Sequence, residues 1–231
     1  MIKNTIKTIL FSMLFFLSIL NGQGMKEIYT SPNFNNLSKN HKTIAILPFT
    51  VVLGGKALQE MGEQMGDVDQ LPMQLQNEGK LFQQSIYSRF LKKSQNYRIL
   101  FQDTDRTNGL LKKAGITYED LEWADMNEVA SALGVDAVIA GNVYREKGMK
   151  QGGAVAMAIL VGGYGATGSA KLNIKIFNGK DGSKLWQYTH RAKGGLGSNV
   201  DDIVLTLMKQ VSRKFPYRKG NNNNNNSSSN W

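Results

Sequence analysis

Gly163-Tyr164-Gly165-Ala166-Thr167-Gly168 has the spacing G-x-G-x-x-G, the pattern with which a dinucleotide-binding loop wraps a pyrophosphate. Such a loop works only when a helix follows at once, because the helix amino terminus supplies the N–H groups that hold the phosphates. Here Lys171 to Phe177 alternate polar and apolar residues, which is the period of a strand. The expectation is a chain with no cofactor. The imidazoles, His41 and His190, lack the spacing of a metal pair and have no obvious catalytic partner. No G-x-S-x-G elbow, H-E-x-x-H helix or P-loop occurs. Asp67 with Asp69, Glu119 with Asp120 and Asp201 with Asp202 are acidic pairs of the kind used in general acid–base work. Each falls at a predicted helix start, where a carboxylate complements the dipole. The sequence therefore predicts no catalytic, cofactor-binding or metal-binding residues, and a protein that is not an enzyme.

Three other stretches are predicted to touch partners. Gly54 to Pro72, with Met61 and Met65 inside it and Met73 next to its end, is longer than the usual strand-to-helix link of about two to six residues. Methionine adapts to irregular contact surfaces, although a short helix folded back on the core also fits. Gly152 to Ala170 joins apolar residues to glycines and carries no charge. It reads either as a buried strand with a glycine loop or as a partner or membrane contact centred on Gly162, Gly163, Tyr164 and Gly165. Arg213, Lys214, Arg218 and Lys219 surround Phe215-Pro216-Tyr217. That cluster suits phosphate, acidic polysaccharide or anionic lipid; a solvated helix end is the plainer alternative.

The start of the chain bears on which partners are reachable. Lys3 and Lys7, the apolar run Ile9 to Leu20 and the small residues Gly22-Gln23-Gly24 read as a signal peptide over residues 1–24. The run is shorter than the roughly 20 residues of a spanning helix, with a retained anchor as the alternative. The 231 residues include no cysteine. The chain is thus expected to be exported to the periplasm or outer membrane without the lipidated cysteine of a lipoprotein, and nucleic acid is not an expected partner. The net charge of +10 favours acidic surfaces.

Positioning these stretches requires a scaffold. Residues 25–42 are polar and read as a flexible tether, 43–217 as one domain, and 218–231, rich in Asn and Ser, as a disordered tail. Within the domain, Thr43 to Val52 reads as a buried strand interrupted by Pro48, and Leu71, Leu75, Phe82, Ile86 and Phe90 mark a helix between Gln70 and Lys93. A short strand at Tyr97 to Phe101 and a helix at Asn108 to Ala114 follow. Asp125 and Glu128 signal a capping box for a helix from Met126 to Leu133, stopped by Gly134. Val135 to Tyr144 is a strand, Leu172 to Ile176 and Leu185 to Tyr188 form a hairpin, and Val200 to Phe215 is an amphipathic helix. This order predicts an α/β fold, with α+β possible: a mixed β-sheet of about five strands covered by helices.

Ile44 to Phe49, Leu133 to Val143 and Leu172 to Trp186 with its Gly-Lys-Asp-Gly turn together resemble a known family. It is the periplasmic α/β domain of the TolB amino-terminal, CsgG and penicillin-binding-protein-activator lipoprotein type. The resemblance implies a non-enzymatic envelope protein that binds other envelope proteins or forms a homo-oligomer, serving secretion, envelope assembly or cell-wall synthesis. The missing lipidated cysteine departs from that pattern. The alternative function is a glycan-binding or glycan-hydrolysing envelope enzyme.

Overall fold

The computed structural model describes residues 26–55, 58–59, 68–145, 169–193 and 200–220. They form an α/β domain around an open mixed sheet of seven strands, two more than expected. The strands are β1 (Lys26–Thr30), β2 (Thr43–Ile46), β3 (Thr50–Leu53), β4 (Leu100–Phe101), β5 (Ala137–Arg145), β6 (Ser169–Asn178) and β7 (Lys184–Lys193). The helices are α1 (Phe34–Ser38), α2 (Leu71–Leu91), α3 (Thr104–Lys113), α4 (Met126–Leu133) and α5 (Val200–Lys214). Sheet order is β1-β7-β6-β5-β2-β4, with β3 also on β5. The β4, β2, β5 and β3 pairings are parallel, and β5-β6, β6-β7 and β7-β1 are antiparallel.

Pro48 accounts for one additional strand. Lacking an N–H, it cannot continue the ladder, so the expected strand over 43–52 divides into β2 and β3, which lie end to end along β5. Phe49 turns inward at the break, and its ring lies where a Cβ on Gly141 would be. Only glycine fits on β5 at that point.

The other additional strand corrects the predicted tether. β1 pairs with β7 from Lys26 opposite His190 to Thr30 opposite Trp186, and α1 buries Phe34 edge-on to Tyr217, their centroids 5.3 Å apart. The polar composition of residues 25–42 concealed two anchors, since one phenylalanine and a five-residue strand suffice to join this segment to the sheet. The predicted tail also begins late: Lys219 N–H donates to the Asn96 carbonyl at 2.8 Å. Residues 221–231 lie outside the described residues.

Strand alternation divides the core into two layers. Ile44, Ile46, Ile139, Ile174 and Trp186 face α2 and α5, where Phe82, Ile86, Phe90, Val204, Leu207 and Phe215 complete the larger cluster. Ala45, Leu47 and Val138 face the opposite way, against Leu111, Val129 and Leu133 of α3 and α4. Helix α3 begins at Thr104, ahead of the expected Asn108, because the Asp103 carboxylate accepts from the N–H groups of Asp105 and Arg106. The capping box of α4 does not form: Asp125 occupies the N-cap position without a side-chain hydrogen bond. Gly134 does end that helix, at φ 64°. No helix of the described residues is long and apolar enough to cross a membrane.

Candidate functional site

Met61, Met65, Gly162, Gly163, Tyr164 and Gly165 lie outside the described residues. At the carboxyl end Arg213, Lys214, Arg218 and Lys219 are exposed as expected, but Phe215 and Tyr217 between them are fully buried. The basic and aromatic cluster is therefore corrected to four surface cations around two core rings. The apolar stripe of α5 carries Phe215 into the sheet, so the rings serve packing and present no face for stacking.

His41, which reads from the sequence as a satisfied or solvated histidine, is satisfied on both ring nitrogens and half-buried at the seam between the two ends of the chain. Its Nε2 lies 3.2 Å from Asn178 Oδ1 and its Nδ1 2.7 Å from the Tyr217 hydroxyl. Asn178 Oδ1 can only accept, which fixes the proton on Nε2 and leaves Nδ1 to accept from Tyr217. Burial lowers the His41 pKa, partly offset by the Asn178 bond and by Asp136. Asp136 accepts from the N–H groups of Lys42 and Thr43 at 2.7 and 2.8 Å. Although burial pushes its pKa up, those two donors hold it below the usual value. Arg98 stands 4.7 Å over the Tyr217 ring and donates to both oxygens of Ser38. This constellation latches the amino-terminal segment to the carboxyl end.

Of the acidic pairs, Asp120 accepts from the N–H and hydroxyl of Thr117, both at 2.8 Å, which closes a turn. Asp67 and the side chains of Asp201 and Asp202 lie outside the described residues. No group of three or more His, Asp or Glu able to hold a metal occurs among the described residues.

Two surfaces stand out that the sequence reading did not single out. One is the sheet face opposite α2 and α5, whose wet side the alternation of Lys171, Asn173 and Lys175 had indicated. Helices α3 and α4 pack against its Val138 and Phe177 end. Beyond them a file of side chains crosses three strands. Asn173 Nδ2 donates to Asn142 Oδ1 at 2.7 Å, Thr189 to Asn173 Oδ1 at 2.9 Å and Gln187 to Thr189 at 3.2 Å. Lys184 ends the file by donating to Gln187 at 2.8 Å, with its ammonium 5.3 Å from the ring of Tyr29 on β1. Tyr29 is 45% exposed. Each side chain holds the next in place; Thr189 within the file is buried, and the file reaches solvent at its Lys184 and Tyr29 end.

The second is a crevice of about 510 Å³ beside Pro48, between α2, α3 and the Gly115–Leu121 connection. Gln83 of α2 and Asn108 of α3 exchange amide hydrogen bonds at 3.0 Å, and Gln83 also donates to the Ile46 carbonyl at 2.7 Å. The Tyr118 hydroxyl accepts from Val51 N–H and donates to Phe49 O, both at 2.9 Å. Burial pushes its pKa up to about 12. The lining residues come from separated segments, which hid the crevice from a linear reading. The amide and lysine four apart in both Gln76/Lys80 and Asn108/Lys112 are the one signal the sequence carries.

No protein-family model matches the chain, and comparison with curated protein sequences gives no match. Among solved structures it is similar to the PelC dodecamer from Paraburkholderia phytofirmans, at 12% identity, over 82% of this chain and 96% of that chain, with TM-score 0.37. It is also similar to lipoprotein GNA1162 from Neisseria meningitidis, at 13% identity over 75% and 98%, with TM-score 0.40. A third is the LpoB C-terminal domain from Salmonella enterica, at 8% identity over 70% and 93%, with TM-score 0.35.

Proposed function

We propose that this chain is a non-enzymatic cell-envelope protein that binds an acidic surface on another envelope protein. The observation that carries the reading is the hydrogen-bonded file from Asn142 to Lys184, exposed at its Lys184 and Tyr29 end. A face whose side chains already hold one another loses little entropy on contact, which favours association. Lys171, Lys175 and Lys184 bring positive charge to it, against Glu27 on β1. Charge complementarity of this kind steers and orients an acidic partner. The basic sequence, and residues 1–24 that read as an export signal, support the same reading.

A photoreactive amino acid placed at Lys171 in the full chain, expressed in cells, tests it. The expected result is a discrete adduct with an envelope protein that disappears on Lys175→Glu and weakens with rising salt. Light scattering of the purified protein separates a second copy of the chain from a different partner. An adduct unaffected by charge reversal, or none at all, overturns the reading.

A further inference from the structure

The crevice beside Pro48 lies apart from the open sheet face and has the makings of a small-molecule site. Its volume of about 510 Å³ falls within the roughly 300–1,000 Å³ typical of ligand pockets. The floor is apolar, formed by Pro48, Leu111 and Leu121, all buried, with Ile116 beside them. The two helical walls repeat one arrangement. Gln76 and Lys80 on α2, and Asn108 and Lys112 on α3, are each four apart and so lie one turn from each other on a common face. Among the described residues neither lysine is in an ion pair. Two ammonium groups lining one cleft repel each other, and an anion between them reverses that repulsion.

The place in the fold agrees. Chain order reverses at β2, with β4 on one side and β5 on the other, joined through helices on opposite faces. Crevices outside the carboxyl ends of strands at such a reversal are where open α/β sheets hold ligands. The walls are also fixed in advance, by the Gln83–Asn108 amide pair and the anchored Tyr118 hydroxyl.

We propose that this crevice binds a small amphipathic anion, with a carboxylate or phosphate between Lys80 and Lys112 and a short apolar chain or ring on the floor. Calorimetric titration of the full chain with five probes tests it: octanoate, octyl phosphate, octanol, octyltrimethylammonium and inorganic phosphate. At least one octyl anion is expected to bind tenfold or more tightly than octanol, octyltrimethylammonium or inorganic phosphate. The stronger of the two anions identifies the head group. Replacing both lysines (Lys80→Gln with Lys112→Gln) should weaken anion binding at least tenfold and leave octanol unchanged. Gly109→Phe provides a second variant, since a Cβ there meets nothing within 4 Å. It should fill the cleft and abolish binding with an unaltered circular dichroism spectrum. Octanol binding as tightly as the anions, affinities untouched by both variants, or no binding of any probe overturns the proposal.

Discussion

The Tyr118 hydroxyl accepts the backbone N–H of Val51 at 2.9 Å, across the break that Pro48 makes between β2 and β3. A side chain from the α3–α4 connection thus supplies a hydrogen bond where the strand ladder is interrupted. Tyr118→Phe leaves the Val51 N–H and the Phe49 carbonyl without this partner, and should cost about 1–3 kcal/mol in urea denaturation.

The same phenol sets an alkaline limit. Its pKa in the fold, about 12, is above the ordinary value of 10.0, so the unfolded chain gives up this proton first. The stabilisation is complete below pH 10 and is lost as pH rises towards 12. Tyr217 is raised in the same direction by burial. Urea midpoints measured from pH 9 upward should be level at first and then fall, less steeply in Tyr118→Phe.

His41 gives the opposite slope at mild acidity. Its pKa in the fold is below 6.5, so the unfolded chain binds the proton more readily. The stabilisation is present above 6.5 and is lost as pH falls through the window beneath it. His41→Gln should flatten thermal stability over that window. Asp136 is held below 3.8, so its contribution persists until pH drops under that value, which separates the two groups in one titration.

Gly141→Ala places a methyl group where the Phe49 ring lies. Overpacking of this kind costs about 1–3 kcal/mol. A double-mutant cycle with Phe49→Leu should recover part of the loss, as coupling of about 0.5–3 kcal/mol between touching residues. Additive losses would show that the ring had moved aside.

Gly134→Ala retains the φ of 64° only under strain. A loss of about 1 kcal/mol is expected from denaturant titration.

Elements whose hydrophobic period ran uninterrupted were legible in the sequence: α2, α5 and the β6–β7 hairpin all lie where the periodicity puts them, and α4 spans the residues between the Asp125 and Gly134 signals. What escaped depends on contacts between distant residues. Ile28, Tyr29 and Phe34 carry too little apolar pattern to announce β1 and α1, because β7 and Tyr217 provide the rest of their environment. Phe215 and Tyr217 looked available among cations because sequence neighbours show nothing about burial from the other side of the sheet. The Pro48 crevice and the open-face file were hidden for the same reason, since each draws on several segments. The Asp125 signal failed in a different way: the residue is at the N-cap position, but its side chain makes no cap hydrogen bond.

Strand β1 lies directly after the residues that read as an export leader, yet it completes its ladder on β7, near the opposite end of the chain. Contacts between such remote partners form late, because the intervening loop must close first. A nascent chain therefore cannot finish its sheet edge until residues 184–193 have been made. Synthesis thus runs through most of the domain before its first strand finds a neighbour, and this edge of the sheet is set by residues made long after it.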